Sequence, residues 1–175
     1  MKLMSNYHNY FLFTKIRNVK TPVRSHYDDA GIDLFLPEID EKFKEDYKKL
    51  NPYSSFFKDD EIIIYPHCSV KIPSGIKVVV PKGYALFVCN RSGIASKSGL
   101  IFGAHVIDSS YRGEVIINLI NVSDDIKSLK AGQKIVQVVL MPVALIDFIE
   151  VDNEVYSKVF ENSERGEKGF GSTDL

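Results

Sequence analysis

The sequence predicts an all-β fold of antiparallel strands, in the form of a sandwich, jelly roll or barrel. Three observations carry that expectation. Ile and Val make up 35 of the 175 residues against six Ala, and β-branched side chains suit a pleated, half-buried surface better than a helix. The apolar runs are short, each about a strand in length. Gly, Pro, Asn or Asp stands in many of the gaps between them.

Taken in order, strands are expected over residues 10–16, 30–34, 61–65, 69–72, 75–80, 85–89, 114–121, 134–142 and 144–151. Residues 38–49 break the pattern. They are heavily charged and carry Ile39, Phe43 and Tyr47 at i, i+4 and i+8, one stripe of a helix. This segment is read as an inserted helix, and residues 51–60, with Pro52, Ser54 and Ser55, as a loop returning to the strand at Ile62. From residue 161 onward the chain is polar and Gly-rich and adds little to a core, so it is read as a mobile tail or lid. The expected organisation is one β domain over residues 1–160, with an insertion at about 38–60, and a tail over 161–175.

Composition excludes several classes of function. Lys+Arg 22 against Asp+Glu 23 leaves a net charge of −1, so there is no global positive field to collect nucleic acid. An anionic ligand must be held locally. The longest apolar stretch near the N-terminus, Tyr10-Phe11-Leu12-Phe13, falls far short of a signal-peptide core or a membrane span. No membrane partner is expected. Cys68 and Cys89 lie 21 residues apart with no C-x-x-C pair, which indicates neither a disulfide framework nor a zinc site. The expected location is intracellular, in cytoplasm or nucleus, or in a host cell if the protein is viral.

Several short constellations carry chemistry. Arg91-Ser92-Gly93 follows a strand and presents a guanidinium, a hydroxyl and bare backbone together, which suits phosphate oxygens or, equally, a surface turn with the Arg paired to a carboxylate. Asp33 sits in an apolar strand, where an unpaired carboxylate is costly to bury, so it needs either an Arg partner or a metal-bound water. Residues 105–113 (His105-Val106-Ile107-Asp108-Ser109-Ser110-Tyr111-Arg112-Gly113) read as a hairpin in which Asp108 either activates a water or caps the turn. Tyr111 there either walls a pocket or packs on the sheet. In the tail, Arg165 and the run Gly169-Phe170-Gly171-Ser172-Thr173 combine an open backbone, a flat ring and hydroxyls that suit a phosphate and a base, or form a flexible terminus.

In order, A-G-I-D-L, R-S-G-I-A, V-I-D-S-S-Y-R-G, G-Q-K-I-V-Q and R-G-E-K-G-F-G-S-T closely resemble the five ordered motifs of the trimeric deoxyuridine triphosphatase (dUTPase) family. The resemblance runs from about Val23 to Thr173, and five motifs in the right order are far more specific than any one alone. It implies a jelly-roll-like distorted barrel that forms homotrimers with shared active sites, closed by a tail from a neighbour. It implies hydrolysis of dUTP to dUMP and pyrophosphate by in-line water attack on the α-phosphorus, with Mg2+ on the triphosphate, which limits dUTP and supplies dUMP for thymidylate synthesis.

Position by position, the resemblance makes Asp108 the base and Tyr111 the wall against a ribose 2′-hydroxyl. The backbone of His105, Val106 and Ile107, with Ile116 nearby, then borders the uracil. Arg91, Ser92, Gly93 and Gln137 hold phosphates, and Asp33 meets magnesium through water. Arg165 clamps the γ-phosphate, Phe170 stacks on uracil, and Gly171, Ser172 and Thr173 donate to phosphates. Four positions depart from the family pattern: His105, Lys168 and Asp174 stand where Gly is usual or frequent, and Ser110 where Asp or Gly is frequent. The connection between Leu36 and Glu61 is also longer than usual. The related dCTP deaminase needs a Glu five residues after Gly113, where this chain has Asn118. A non-catalytic nucleotide sensor or protein-binding module on the same fold is the alternative, to be expected if Asp108 or Arg165 were missing.

Overall fold

The computed structural model describes residues 10–160. In chain order its strands are β1 (Leu12–Lys15), β2 (Ile32–Phe35), β3 (Phe56–Lys58), β4 (Glu61–Ile64), β5 (Ser69–Val79), β6 (Tyr84–Cys89), β7 (Leu100–Phe102), β8 (Val106–Ile107), β9 (Glu114–Asn121), β10 (Lys127–Lys130) and β11 (Lys134–Pro142). The helices are α1 (Glu41–Leu50), α2 (Ser92–Ser98) and α3 (Asn153–Phe160). Three antiparallel sheets result, in the orders β1-β5-β9-β7, β10-β4-β3 and β2-β11-β6-β8. All three lie before the point after Ala144 at which the chain divides into two units.

Alternation explains how these strands share a core. Along β9 every second residue is buried (Val115, Ile117, Leu119, Asn121), so one face of the strand meets the interior. Ile62 and Ile64 of β4, Ile72 of β5 and Leu129 of β10 add fully buried side chains to the same cluster. The two runs expected at 69–72 and 75–80 form one long strand, β5, whose pairing with β9 shifts register between Pro73 and Lys77. An irregularity in the ladder, not a strand end, accommodates the Pro and Gly.

The inserted segment folds as its stripe predicts. Asp40 caps α1 by accepting the Phe43 N–H at 2.7 Å, and Ile39, Phe43 and Tyr47 are all buried. At the other end Asn51 donates to the carbonyls of Tyr47 and Lys71 and accepts the Lys71 N–H, which ties the helix to β5. The expected loop over 51–60 instead contains β3, which pairs with β4 through a two-residue turn at Asp59 and Asp60, both with positive φ (48° and 58°). Tyr47 lies between Phe43 and Phe57, with ring centroids at 6.0 and 5.1 Å. Its buried hydroxyl has no hydrogen-bond partner among the described residues, and burial pushes its pKa up. Tyr47→Phe is therefore expected to raise stability by about 1 kcal/mol, read as a higher urea midpoint with an unchanged slope.

Two further expectations fail. Residues 144–151 form no strand among the described residues, because an apolar run becomes a strand only where a ladder partner satisfies its backbone. Residues 105–113 are not a hairpin. β8 pairs with β6 in one sheet and β9 pairs with β5 and β7 in another, so the turn between them arches from sheet to sheet.

Candidate active site

Antiparallel register brings three of the motifs to one place. Gln137 of β11 stands opposite Asp33 of β2 on one side and Cys89 of β6 on the other, so these side chains share a face. Just beyond Cys89 the chain leaves β6 through Asn90 and Arg91 into α2. The result is a cleft of about 480 Å³ lined by Gly31, Asp33, Arg91, Ser92, Gly93 and Gln137, among others. Clefts of about 530 and 640 Å³ elsewhere contain none of the site residues expected from the sequence.

Asp33 is the electrostatic centre of the cleft. It is 5% exposed, and its Oδ1 meets Arg91 Nε at 2.8 Å while its Oδ2 meets Lys134 Nζ at 2.7 Å. Ser25 Oγ donates to the same Oδ2 at 3.0 Å and accepts from Lys134 Nζ at 2.9 Å. Burial alone would push the Asp33 carboxyl up. The hydrogen bonds from Lys134 and Ser25 and the nearby cationic charges outweigh it and hold the group below the usual carboxylate range. With both cations on one carboxylate, Arg91, Lys134 and Asp33 carry a net charge of +1. Arg91 spends only Nε on Asp33, which leaves its two terminal nitrogens for an incoming oxyanion.

Local backbone prepares the rest of the cleft. Arg91 is extended (φ −88°, ψ 125°) and N-caps α2, and no side chain among the described residues caps that helix. The first amides of α2, at Ser92 and Gly93, precede those of Ile94 and Ala95, which donate to the Arg91 carbonyl. A Cβ at Gly93 would meet no atom of the described residues within 4 Å, so the turn has room for a ligand. Gln137 donates to the Asn90 carbonyl at 2.8 Å and lies against Gly31, where a Cβ would collide with its Oε1. A larger residue there would require Gln137 to move.

The third motif stands apart. The Tyr111 N–H donates to the Asp108 carbonyl at 3.1 Å and closes the turn, and the Asp108 side chain is exposed. Arg112 braces the turn by donating to the carbonyls of Ser109 and Tyr111 at 2.6 and 2.8 Å. The Tyr111 hydroxyl donates to the Glu114 carbonyl at 2.7 Å, and its ring covers Gly113 so closely that a Cβ there would require the ring to move. Val106 and His105 are exposed, while Ile107 and Ile116 are partly buried. The His105 carbonyl accepts the Val88 N–H at 2.7 Å, and its ring meets Phe102 edge-on at 4.3 Å. His105 is absent from the residues with positive φ, so glycine's backbone freedom is not required at this position.

Asp108 and Arg91 of one chain do not meet. Ile107 pairs with Leu86, and β8 runs antiparallel to β6, so Asp108 follows toward the start of β6 while Arg91 lies past its end. At about 3.3 Å per residue this is a separation of roughly 17–20 Å. Arg165, Phe170, Gly171, Ser172 and Thr173 lie outside the described residues. Lys134 and Ser25 are site residues that sequence reasoning missed. A bulge in β11 between Lys134 and Val136 turns Lys134 to the same face as Gln137. The signal was the adjacent apolar pair Ile135-Val136, which interrupts the strand's alternation.

A family model described as dUTPase matches residues 57–174. The chain is 35% identical over 122 residues to a deoxyuridine 5'-triphosphate nucleotidohydrolase of Hydrogenobaculum sp., covering 69% of this chain and 81% of that protein. It is 41% identical over 120 residues to the protein of the same name from Desulfitobacterium hafniense, covering 67% of this chain and 76% of the relative. Among solved structures, the Staphylococcus bacteriophage 80alpha dUTPase with dUPNHPP matches with a TM-score of 0.74 at 26% identity, over 95% of this chain and 99% of that one. A mutant dUTPase from phage phi11 of S. aureus, described with a structural Mg(II) ion, matches in fold with a TM-score of 0.64 at 23% identity, over 83% of this chain and 98% of that one.

Proposed function

The chain belongs to the dUTPase family and hydrolyses dUTP to dUMP and pyrophosphate, and from that premise we propose that its active sites form between copies in a homotrimer, with Asp108 of one copy serving the phosphate cleft of another. The observation that carries this reading is the separation of Asp108 and Arg91 along β6. One chain supplies a phosphate cleft without a base, and a base on an exposed turn without a phosphate cleft. A second copy reconciles them.

In this reading the triphosphate, with about four negative charges, enters the cleft where Arg91, Lys134 and Asp33 leave an excess of positive charge. The terminal nitrogens of Arg91, the amides of Ser92 and Gly93, and Gln137 hold phosphate oxygens. The Asp108 carboxylate takes a proton from water as the water oxygen bonds to the α-phosphorus and the bond to the bridging oxygen of the leaving pyrophosphate breaks. Such a reaction depends on positioning and charge neutralisation, with no covalent intermediate on the protein. Arg165, Phe170, Gly171, Ser172 and Thr173 complete the site from the tail in the same reading.

Magnesium fits this chemistry as an ion carried by the substrate. No group of three His, Cys, Asp or Glu side chains among the described residues forms a metal cage. An ion that keeps several waters and is held by phosphates needs none. Asp33 Oδ1 is ion-paired with Arg91 Nε, and a carboxylate oxygen has two lone pairs, one of which suits a metal-bound water. When bound, magnesium neutralises phosphate charge. No helix among the described residues is long and apolar enough to cross a membrane. The cysteines are free, in keeping with an intracellular enzyme.

The direct test is pyrophosphate release from dUTP with magnesium, against UTP, dCTP and dTTP. Turnover of dUTP alone supports the reading, and equal turnover of all four overturns the substrate assignment. Tyr111→Ala is expected to raise UTP turnover relative to dUTP. Excluding one hydroxyl by shape is worth on the order of 1–3 kcal/mol. An unchanged UTP/dUTP ratio would place the discrimination elsewhere.

A further inference from the structure

The inserted helix lines none of the cleft, yet a chain of ion pairs runs from it to the turn that carries Asp108. Arg17 lies between β1 and β2 in sequence. It donates to Glu114 twice, from Nε to Oε1 at 2.8 Å and from Nη2 to Oε2 at 3.0 Å. The same Nη2 donates to Asp46 Oδ2 of α1 at 2.8 Å. The guanidinium also stands 6.0 Å from the centre of the Phe43 ring. All three ionic side chains are largely shielded, with exposures of 13% for Arg17, 14% for Glu114 and 22% for Asp46.

Glu114 sits at the junction. It follows Gly113 directly, and its own carbonyl receives the Tyr111 hydroxyl that folds the turn onto β9. Its carboxylate also accepts the Gly75 N–H from β5 at 2.7 Å. One residue therefore fastens the end of the turn from three directions: Arg17, β5 and Tyr111. A two-pronged Arg–carboxylate pair fixes orientation as well as charge. Removing Arg17 leaves the shielded Glu114 carboxylate without its cation, and removing Glu114 leaves Arg17 with Asp46 alone. Asp46 is itself held by Lys42 at 2.9 Å, so the strut is anchored in α1 at its far end.

From this geometry we propose that Arg17 and Glu114 are positioning residues of the reaction, and that α1 acts through Asp46 to hold the turn from Asp108 to Tyr111 in place. The proposal rests on the reading that this turn supplies the base. Neither Arg17 nor Glu114 touches the nucleotide in it. Their effect is on where Asp108 and Tyr111 stand.

The test compares Glu114→Gln, Arg17→Lys and Asp46→Asn with Ile64→Val, a core change at a residue that makes none of the strut's bonds, as a control for lost stability. Turnover of dUTP is measured well below each variant's Tm, together with hydrogen exchange of the amides at 108–113. Glu114→Gln and Arg17→Lys are expected to speed exchange in the turn and lower kcat by about tenfold or more, and Asp46→Asn by roughly threefold, while Ile64→Val changes neither readout. If Glu114→Gln or Arg17→Lys lowers Tm but leaves kcat or turn exchange within about twofold of the parent, the pair is purely structural and the proposal is overturned. If both fail to fold, Asp46→Asn decides, because it keeps the Arg17–Glu114 bonds, and unchanged exchange with it removes the role of α1. A failure of the base assignment appears instead as full activity of Asp108→Asn, whereas the exchange readout judges the strut independently of that assignment.

Discussion

Asp108→Asn is expected to keep the fold and nucleotide binding while losing about two to four decades of kcat, the range for removing a positioned general base. The structure explains why the change is clean. The Asp108 carbonyl closes the turn with the Tyr111 N–H, a bond that any side chain at this position preserves. The carboxylate is exposed and supports no packing, so the isosteric amide removes the ability to take a proton and little else. Single-turnover hydrolysis of dUTP measures the chemical step, and binding of a non-hydrolysable dUTP analogue checks that the site still forms. A single-turnover rate within about threefold of the parent would remove Asp108 from the role of base.

The second large effect is a rescue. Arg91→Ala is expected to cost about two decades of activity, because it removes the guanidinium that in the proposed site faces the phosphates. Asp33 then keeps Lys134 and Ser25, so the cleft stays folded. Arg91→Ala and Asp108→Asn proteins should each be nearly inactive alone. Unfolded together and refolded as mixed assemblies, they should recover activity in about a quarter of the sites, since a site with one residue from each of two copies is intact when both contributors carry the right parent residue. The measurement is pyrophosphate release before and after mixing, with assembly size followed by light scattering. No recovery in properly assembled mixtures would mean that Asp108 and Arg91 act within one chain, against the separation along β6.

Much of this protein was legible in its sequence wherever the signal is local. The stripe of Ile39, Phe43 and Tyr47 announced α1, and all three side chains are buried. The short apolar run at residues 114–121 announced β9 with its bounds. The need of Asp33 for a partner followed from the cost of a bare carboxylate in an apolar strand, and Arg91 meets that need. The order of the five motifs was sufficient to imply the dUTPase family, which the family match and the relatives bear out.

What the sequence by itself determined is therefore which face of each segment seeks the core, and which residue types are brought to which turn. These depend on spacing along a few residues, and spacing is written in the chain. Only the tertiary structure decided the partners. It joined residues 69–79 into one strand, denied residues 144–151 a ladder, and opened the expected hairpin at 105–113 into an arch between two sheets. It also turned Lys134 onto Asp33, 101 positions away, through a bulge that no local count predicts. The physical reason is common to all of these. A strand's backbone groups and a buried charge must be satisfied by something, and which distant segment does so depends on register and on competing burial across the whole core.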